Sequence, residues 1–183
     1  MSRLLHTLVL GLVGAGLVHI AILFMMPSYS VSDAWTRISA VSAPNETLLL
    51  DQDRTDEDLP TSANPFITAA ACRFDLSRGV MRVRAPGSVP FWSMSVYDTK
   101  GLNVFSISDR ATEGRRLDFA VLTPVQMQQV RSQLPPRLDE SVFVETETPE
   151  GIVIVRVFTP DETWRGIVSS FLETMRCETV PAR

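Results

Sequence analysis

The stretch FWSMSVYDTKGLNVFSI, residues 91–107, decides the fold. Alternation puts Trp92, Met94 and Val96 on one side of an extended chain, and Phe91, Ser93, Ser95 and Tyr97 on the other. The first side is a core face. The second mixes hydroxyls with aromatic rings, as a half-exposed sheet surface or a shallow groove does. LNVFSIS repeats the two-residue period after TKG, where Gly101 supplies the positive φ of a bulged hairpin turn. A β-hairpin is therefore predicted here. Asp98 opens its turn, a position where aspartate bonds its own backbone.

Working outward, similar short runs recur at the spacing of an antiparallel sandwich. ITAAACRFDL (67–76) is expected to pair with GVMRVRA (79–85) through a Ser77-Arg78-Gly79 turn. LDFAVLT (117–123), SVFVETE (141–147) and GIVIVRVF (151–158) supply three more strands, the last two joined by TPEG. GIVIVRVF is apolar on both faces except at Arg156, which marks a central strand covered on both sides. Thr123-Pro124-Val125-Gln126 and Thr159-Pro160-Asp161-Glu162 each place a threonine cap before a first-turn proline and a Gln or Glu. Two helices are expected to start there. In the second, Trp164, Ile167, Val168, Phe171, Leu172 and Met175 form one apolar stripe that belongs against a sheet.

The N-terminus is of another kind. Thr7 to Met26 is a run of twenty residues without a formal charge, close to the roughly 20 needed to cross a bilayer as a helix. A cleaved signal peptide is the rival reading, with Ser28 and Ser30 as small residues before a cleavage point. Arg3 precedes the run, while Asp33 and Arg37 nearly cancel after it, so the positive-inside rule puts the N-terminus in the cytoplasm. Residues 1–6 are then cytoplasmic, 7–26 a transmembrane signal anchor, 27–65 a juxtamembrane segment with an acidic linker at Asp51–Pro65, and 66–183 a periplasmic β-sandwich domain. Within 30–41, SVSDAWTRISAV suits a short surface helix capped by Ser32 or Asp33. Trp35 there fits either the membrane interface or packing beneath the domain. The fold class is mainly β within α+β: a transmembrane helix, then an antiparallel sandwich with two packed helices.

Composition narrows the chemistry. The net charge of -4 argues against nucleic acid as a partner, because phosphate neutralisation needs clustered cations. Charge is uneven, however: residues 73–116 carry seven arginines and Lys100 against four acids. Two readings of that segment are open. Arg73, Arg82, Arg84 or Arg110 could gather an anionic ligand, or Arg82 and Arg84 could simply alternate outward on a strand. Both histidines, His6 and His19, lie at or inside the apolar run, which leaves the rest of the chain without the base of a Ser-His-Asp site or a histidine zinc ligand. No phosphate loop, nucleophile elbow or metal-ligand cluster is present, so neither metal nor cofactor is expected. Cys72 and Cys177 are the only cysteines. On an oxidising side of the membrane they are expected to form a disulfide between an early strand and the end of the last helix.

With AACRFDLSRGVMRV, PFWSMSVYDTKGLNVFSISDRA and the closing TMRCE in view, the chain resembles the bacterial envelope family known as domain of unknown function 1254, in a short, membrane-anchored version. The residues that carry the resemblance are Trp92, Ser93, Tyr97 and Asp98. It implies a β-sandwich in the envelope and no particular reaction. Longer relatives carry a second domain of unknown function, numbered 1214, so a separate envelope protein bearing that domain is the implied partner. The surface expected to meet a ligand or partner comprises Trp92, Ser93, Ser95, Tyr97, Asp98, Arg82, Arg84 and Arg110. The function so implied is a single-pass inner-membrane protein that binds another envelope component. The alternative is a periplasmic hydrolase or carbohydrate-active domain using serine or carboxylates near Ser93 and Asp98.

Overall fold

A computed structural model describes residues 2–50 and 64–182. The acidic stretch 51–63, read above as a linker, lies outside the described residues. The chain opens with one helix, α1 (Ser2–Val41), whose segment Ser2–Met25 is long and apolar enough to cross a membrane, with a mean hydropathy of 2.5. It does not stop at Met26 and restart near Ser32; it runs through Pro27 to Val41.

Two sheets follow. The first is antiparallel, in the order β1 (Thr47–Leu50), β2 (Ile67–Asp75), β8 (Glu150–Phe158), β4 (Trp92–Asp98), β5 (Asn103–Ser108). The second has the order β7 (Val142–Glu145), β6 (Leu117–Leu122), β3 (Val80–Ala85), β9 (Arg176–Val180), with β7 parallel to β6. Their inner faces share one core. Cys72 and Phe74 of β2, Val153, Val155 and Val157 of β8, and Trp92, Met94 and Val96 of β4 meet Met81, Val83, Leu117, Phe119, Val121 and Val144 from the other sheet. Trp92 meets Phe119 edge to face, with ring centroids 5.8 Å apart, a favoured arrangement of the ring quadrupoles.

β8 is the central strand of its sheet, as its two-sided apolar pattern predicts. Its Gly151 leaves no room for a side chain: an added Cβ would collide with the carbonyl oxygen of Tyr97 and the ring of Phe74. The hairpin of residues 91–107 also forms as expected. Gly101 takes φ 74°, and the register slips between Val96 and Tyr97 where β5 carries an extra residue.

Two expected pairings do not occur. β2 and β3 are consecutive strands of different sheets. Asp75 accepts the amide of Ser77 and starts a single 3-10 turn at Leu76–Arg78, and Gly79 with φ 146° passes the chain across to the second sheet. Likewise β7 and β8 part company at TPEG, one joining each sheet. Sequence neighbours pair only about two-thirds of the time, and β2 and β8, apolar on both faces, are better covered beside each other. β1 and β9, not foreseen, lie at sheet edges.

The helices cap the sandwich. α2 (Pro124–Ser132) has the expected capping box between Thr123 and Gln126, and Met127 and Val130 cover Val80, Ala120, Leu122 and Val180 on the outside of the second sheet. α3 (Glu162–Glu173) starts two residues later than expected, because Asp161 and not Thr159 caps it; the Thr159 hydroxyl bonds that of Thr68 at 3.0 Å. Val168, Phe171 and Leu172 enter the inter-sheet core and Trp164 packs on its margin, while Ile167, assigned to the same stripe, is exposed.

Cys72 and Cys177 form a disulfide. Cys177 belongs to β9 and not to the end of the last helix, so the bond ties the first sheet to the second through the core. Closing a loop of 105 residues restricts the unfolded chain, an effect of about 3–5 kcal/mol in the loop-entropy account. Replacing both cysteines by alanine, or reducing the protein, is expected to lower the unfolding free energy in urea by about that amount at an unchanged far-ultraviolet spectrum. An identical urea midpoint with and without reductant would show that the bond does not hold the sheets together.

Candidate functional site

The outer face of the first sheet is divided between two neighbours. Over β1, β2 and the start of β8 lies the last part of α1: Ile38 is buried among Leu50, Ala69, Ala71 and Ile152, with Trp35 beside them. The small residues Ala69 and Ala71 let the helix sit close. Arg73 secures it, donating from Nη1 to the carbonyls of Ser39 and Ser42 at 3.2 Å each and holding its guanidinium 5.3 Å from the Trp35 ring. A cation on the carbonyl end of a helix satisfies orphan acceptors and opposes the helix dipole. Arg73 thus belongs to the helix dock and not to an anion site, and Trp35 packs beneath the domain.

Beyond the helix, β4, β5 and the far half of β8 carry a polar array. The Ser106 hydroxyl donates to Ser95 Oγ at 3.0 Å and accepts from Asn103 Nδ2 at 2.7 Å. Arg156 reaches across from β8, donating from Nη2 to the Tyr97 hydroxyl at 3.2 Å and from Nη1 to Ser95 Oγ at 3.4 Å, its charge 5.8 Å from the Tyr97 ring centroid. Ser93 and Ser108 face each other across the hairpin. Ser93, Ser95 and Tyr97 are therefore brought together as the sequence suggests. Arg156, noted above only as the break in an apolar strand, is the residue that joins Ser95 and Tyr97; a lone charge on a doubly covered strand was the available signal.

Trp92 and Asp98 lie on the other face. Trp92 is turned into the core, and its indole N–H donates to the carbonyl of Arg115 at 2.9 Å, so it is not part of a ligand surface. Asp98 Oδ1 accepts the amides of Lys100 and Leu102 at 2.9 and 2.8 Å. It builds the turn. As an even-numbered residue of β4 it points away from Ser93 and Ser95, so it cannot take a proton from either. Asp109, buried after β5, pairs with Arg115 at 2.8 Å and not with its neighbour Arg110.

The remaining arginines divide too. Arg82 grips Asp118 with two bonds of 3.0 and 2.6 Å on the outside of the second sheet. The pair holds the guanidinium pKa above its ordinary value, the hydrogen bond being the main cause and burial opposing it. Arg84, two residues on, is half exposed. Arg110 is exposed on the turn after β5. Among the described residues no group of three or more His, Cys, Asp or Glu is placed to hold a metal ion.

Two packed sheets stapled by a disulfide, with a long apolar N-terminal helix, define a β-sandwich domain carrying an element fit to be a membrane anchor or a signal sequence. The chain belongs to the family described as protein of unknown function, DUF1254, whose profile matches residues 44–179. The crystal structure of the VPA0106 protein from Vibrio parahaemolyticus is similar over 84% of this chain, with a TM-score of 0.59 and 14% identity. That likeness speaks to the fold alone, and the chain spans 36% of the Vibrio protein's length. An uncharacterised protein from Burkholderia cenocepacia matches with a TM-score of 0.48, at 14% identity, over 84% of this chain and 41% of its own. Curated proteins gave no match.

The opposite faces of β4 make a direct prediction. Asp98→Ala, which strips two amides of their acceptor, is expected to cost about 1–3 kcal/mol of stability, whereas Ser93→Ala on the outer face should stay within about 0.5 kcal/mol. Urea denaturation of the two variants measures both, and equal losses would contradict the assigned faces.

Proposed function

We propose that the chain is a single-pass inner-membrane protein whose sandwich stands on the periplasmic side and presents the Ser93–Ser95–Tyr97–Arg156 face to another component of the cell envelope. The observation that carries this reading is the dock of α1. The helix does not end in a loose tether: its last turns are packed on the same outer face that exposes the polar array, with Ile38 buried and Arg73 bonded to its final carbonyls. An anchor held in this way fixes which side of the domain accompanies the membrane surface and offers the array beside it.

Two further features support the placement. A disulfide persists in oxidising compartments, and the positive-inside rule orients the helix with Arg3 in the cytoplasm. The array itself suits recognition better than turnover, since Ser95 is held between Arg156 and Ser106 and Asp98 faces the other way. The hydrolase alternative is left with no observation in its favour. The partner in this proposal is a separate envelope protein supplying a second domain, as the family resemblance implies.

Two measurements test the proposal. A reporter active only in the periplasm, fused after Arg183, is expected to be active in intact cells while a cytoplasm-dependent reporter at the same point is silent; the reverse pattern would invert the topology. A photo-crosslinking residue at Ser93 or Ser106 is expected to give a discrete envelope adduct that Arg156→Gln diminishes, and that the same probe at the exposed Val125 of α2 does not give. Identical adducts from both sheets would reject the hairpin face as the binding surface.

A further inference from the structure

The second sheet carries a cationic cleft that the proposed function does not use. It measures about 460 Å³ and lies where the end of β3, the start of β6 and the exit of α3 meet, with Arg84, Arg116 and Arg176 on its walls. That volume is within the ordinary range of small-molecule sites, roughly 300–1,000 Å³. Three arginines from three separate segments of the chain line one opening.

The carboxylates around the cleft do not close it. Asp118, the one acid among the described residues of its wall, is already committed, gripped twice by Arg82 and accepting the Ser141 hydroxyl at 2.6 Å. Glu178 stands between Arg82 and Arg84 at 3.8 and 3.7 Å, a loose contact that leaves Arg84 with 50% of its side chain exposed. Glu140 meets Arg116 at 3.1 Å, but both side chains are more than 60% exposed, and such rim pairs hold only about 0–1 kcal/mol. Arg176 donates to the carbonyls of Glu173 and Met175. Those bonds cover the carbonyl end of α3, which would otherwise repel an anion, and their acceptors are neutral carbonyls that leave the guanidinium its charge.

We infer that this cleft binds a phosphate-bearing ligand through Arg84, Arg116 and Arg176. Guanidinium forks match phosphate and carboxylate oxygens alike. Three forks exceed the two oxygens of one carboxylate and suit the three or more of a phosphate monoester or pyrophosphate. The ligand is either a free phosphorylated small molecule or a phospholipid headgroup, and the chemistry of the wall is the same for both.

The test uses the full chain in nanodiscs of phosphatidylcholine, with inorganic pyrophosphate as the probe, followed by calorimetry. Pyrophosphate is expected to bind, to weaken as salt rises, and to lose about tenfold or more of its affinity in the Arg84→Gln/Arg116→Gln double variant, as expected for lost charge-assisted bonds. Both positions are half exposed or more, and an unchanged thermal midpoint confirms that the variant folds; Arg176→Gln is the independent second variant. Adding phosphatidic acid to the nanodiscs separates the two sources: competition with pyrophosphate assigns a lipid headgroup, and its absence assigns a soluble phosphate. No pyrophosphate binding in phosphatidylcholine nanodiscs, or equal binding by the wild type and both variants, overturns the inference.

Discussion

Everything in this molecule is arranged around a strand covered on both faces. β8 lies between β2 and β4, gives Val153, Val155 and Val157 to the inter-sheet core, and gives Ile152 and Ile154 to the cluster beneath α1. A strand buried on both sides can tolerate a charge only where that charge is solvated or bonded. Arg156 meets the condition by standing past the helix, among hydroxyls. One strand therefore fixes where the helix docks, where the polar array begins, and why Gly151 must lack a side chain.

Each sheet has a divided outer face, with a helix on one part and polar side chains on the rest. On the first sheet α1 covers the small and aliphatic residues of β1 and β2, leaving Ser93, Tyr97 and Arg156 partly exposed around the buried Ser95. On the second, α2 covers Val80, Ala120, Leu122 and Val180, leaving Arg82, Arg84 and Asp118. The split follows from burial energetics: apolar positions gain about 25 cal/mol per Å² removed from water, and arginines lose hydration if covered without partners. Arg73 and Arg82 are exceptions with partners, one on helix carbonyls and one on Asp118, and each is thereby withdrawn from ligand binding. Arginines in such bonds are structural in effect, however basic the segment that contains them.

The disulfide adds a restraint of another sort. It contributes little native contact beyond its own atoms, but it joins a strand of one sheet to a strand of the other across a long stretch of chain. The entropy removed from the unfolded state supports an edge strand, β9, that the residue pattern alone had not revealed.

How much of this could be read from the residues differs by scale. Local chemistry determined the 91–107 hairpin, its Asp98 turn, the capping box at Thr123, the central place of GIVIVRVF, the pairing of the two cysteines and the apolar N-terminal helix, because each depends on residues a few positions apart or on composition. The partners of β2, β3, β7 and β8 depended on which faces needed covering once all the strands were present, and alternation fits either sheet equally well. The roles of the arginines were likewise beyond the sequence. Whether Arg73 caps a helix, Arg82 grips Asp118, Arg156 joins two hydroxyls or Arg84 lines an open cleft is decided by what folding brings within about 3 Å of a guanidinium, the distance at which hydrogen bonding takes over from net charge.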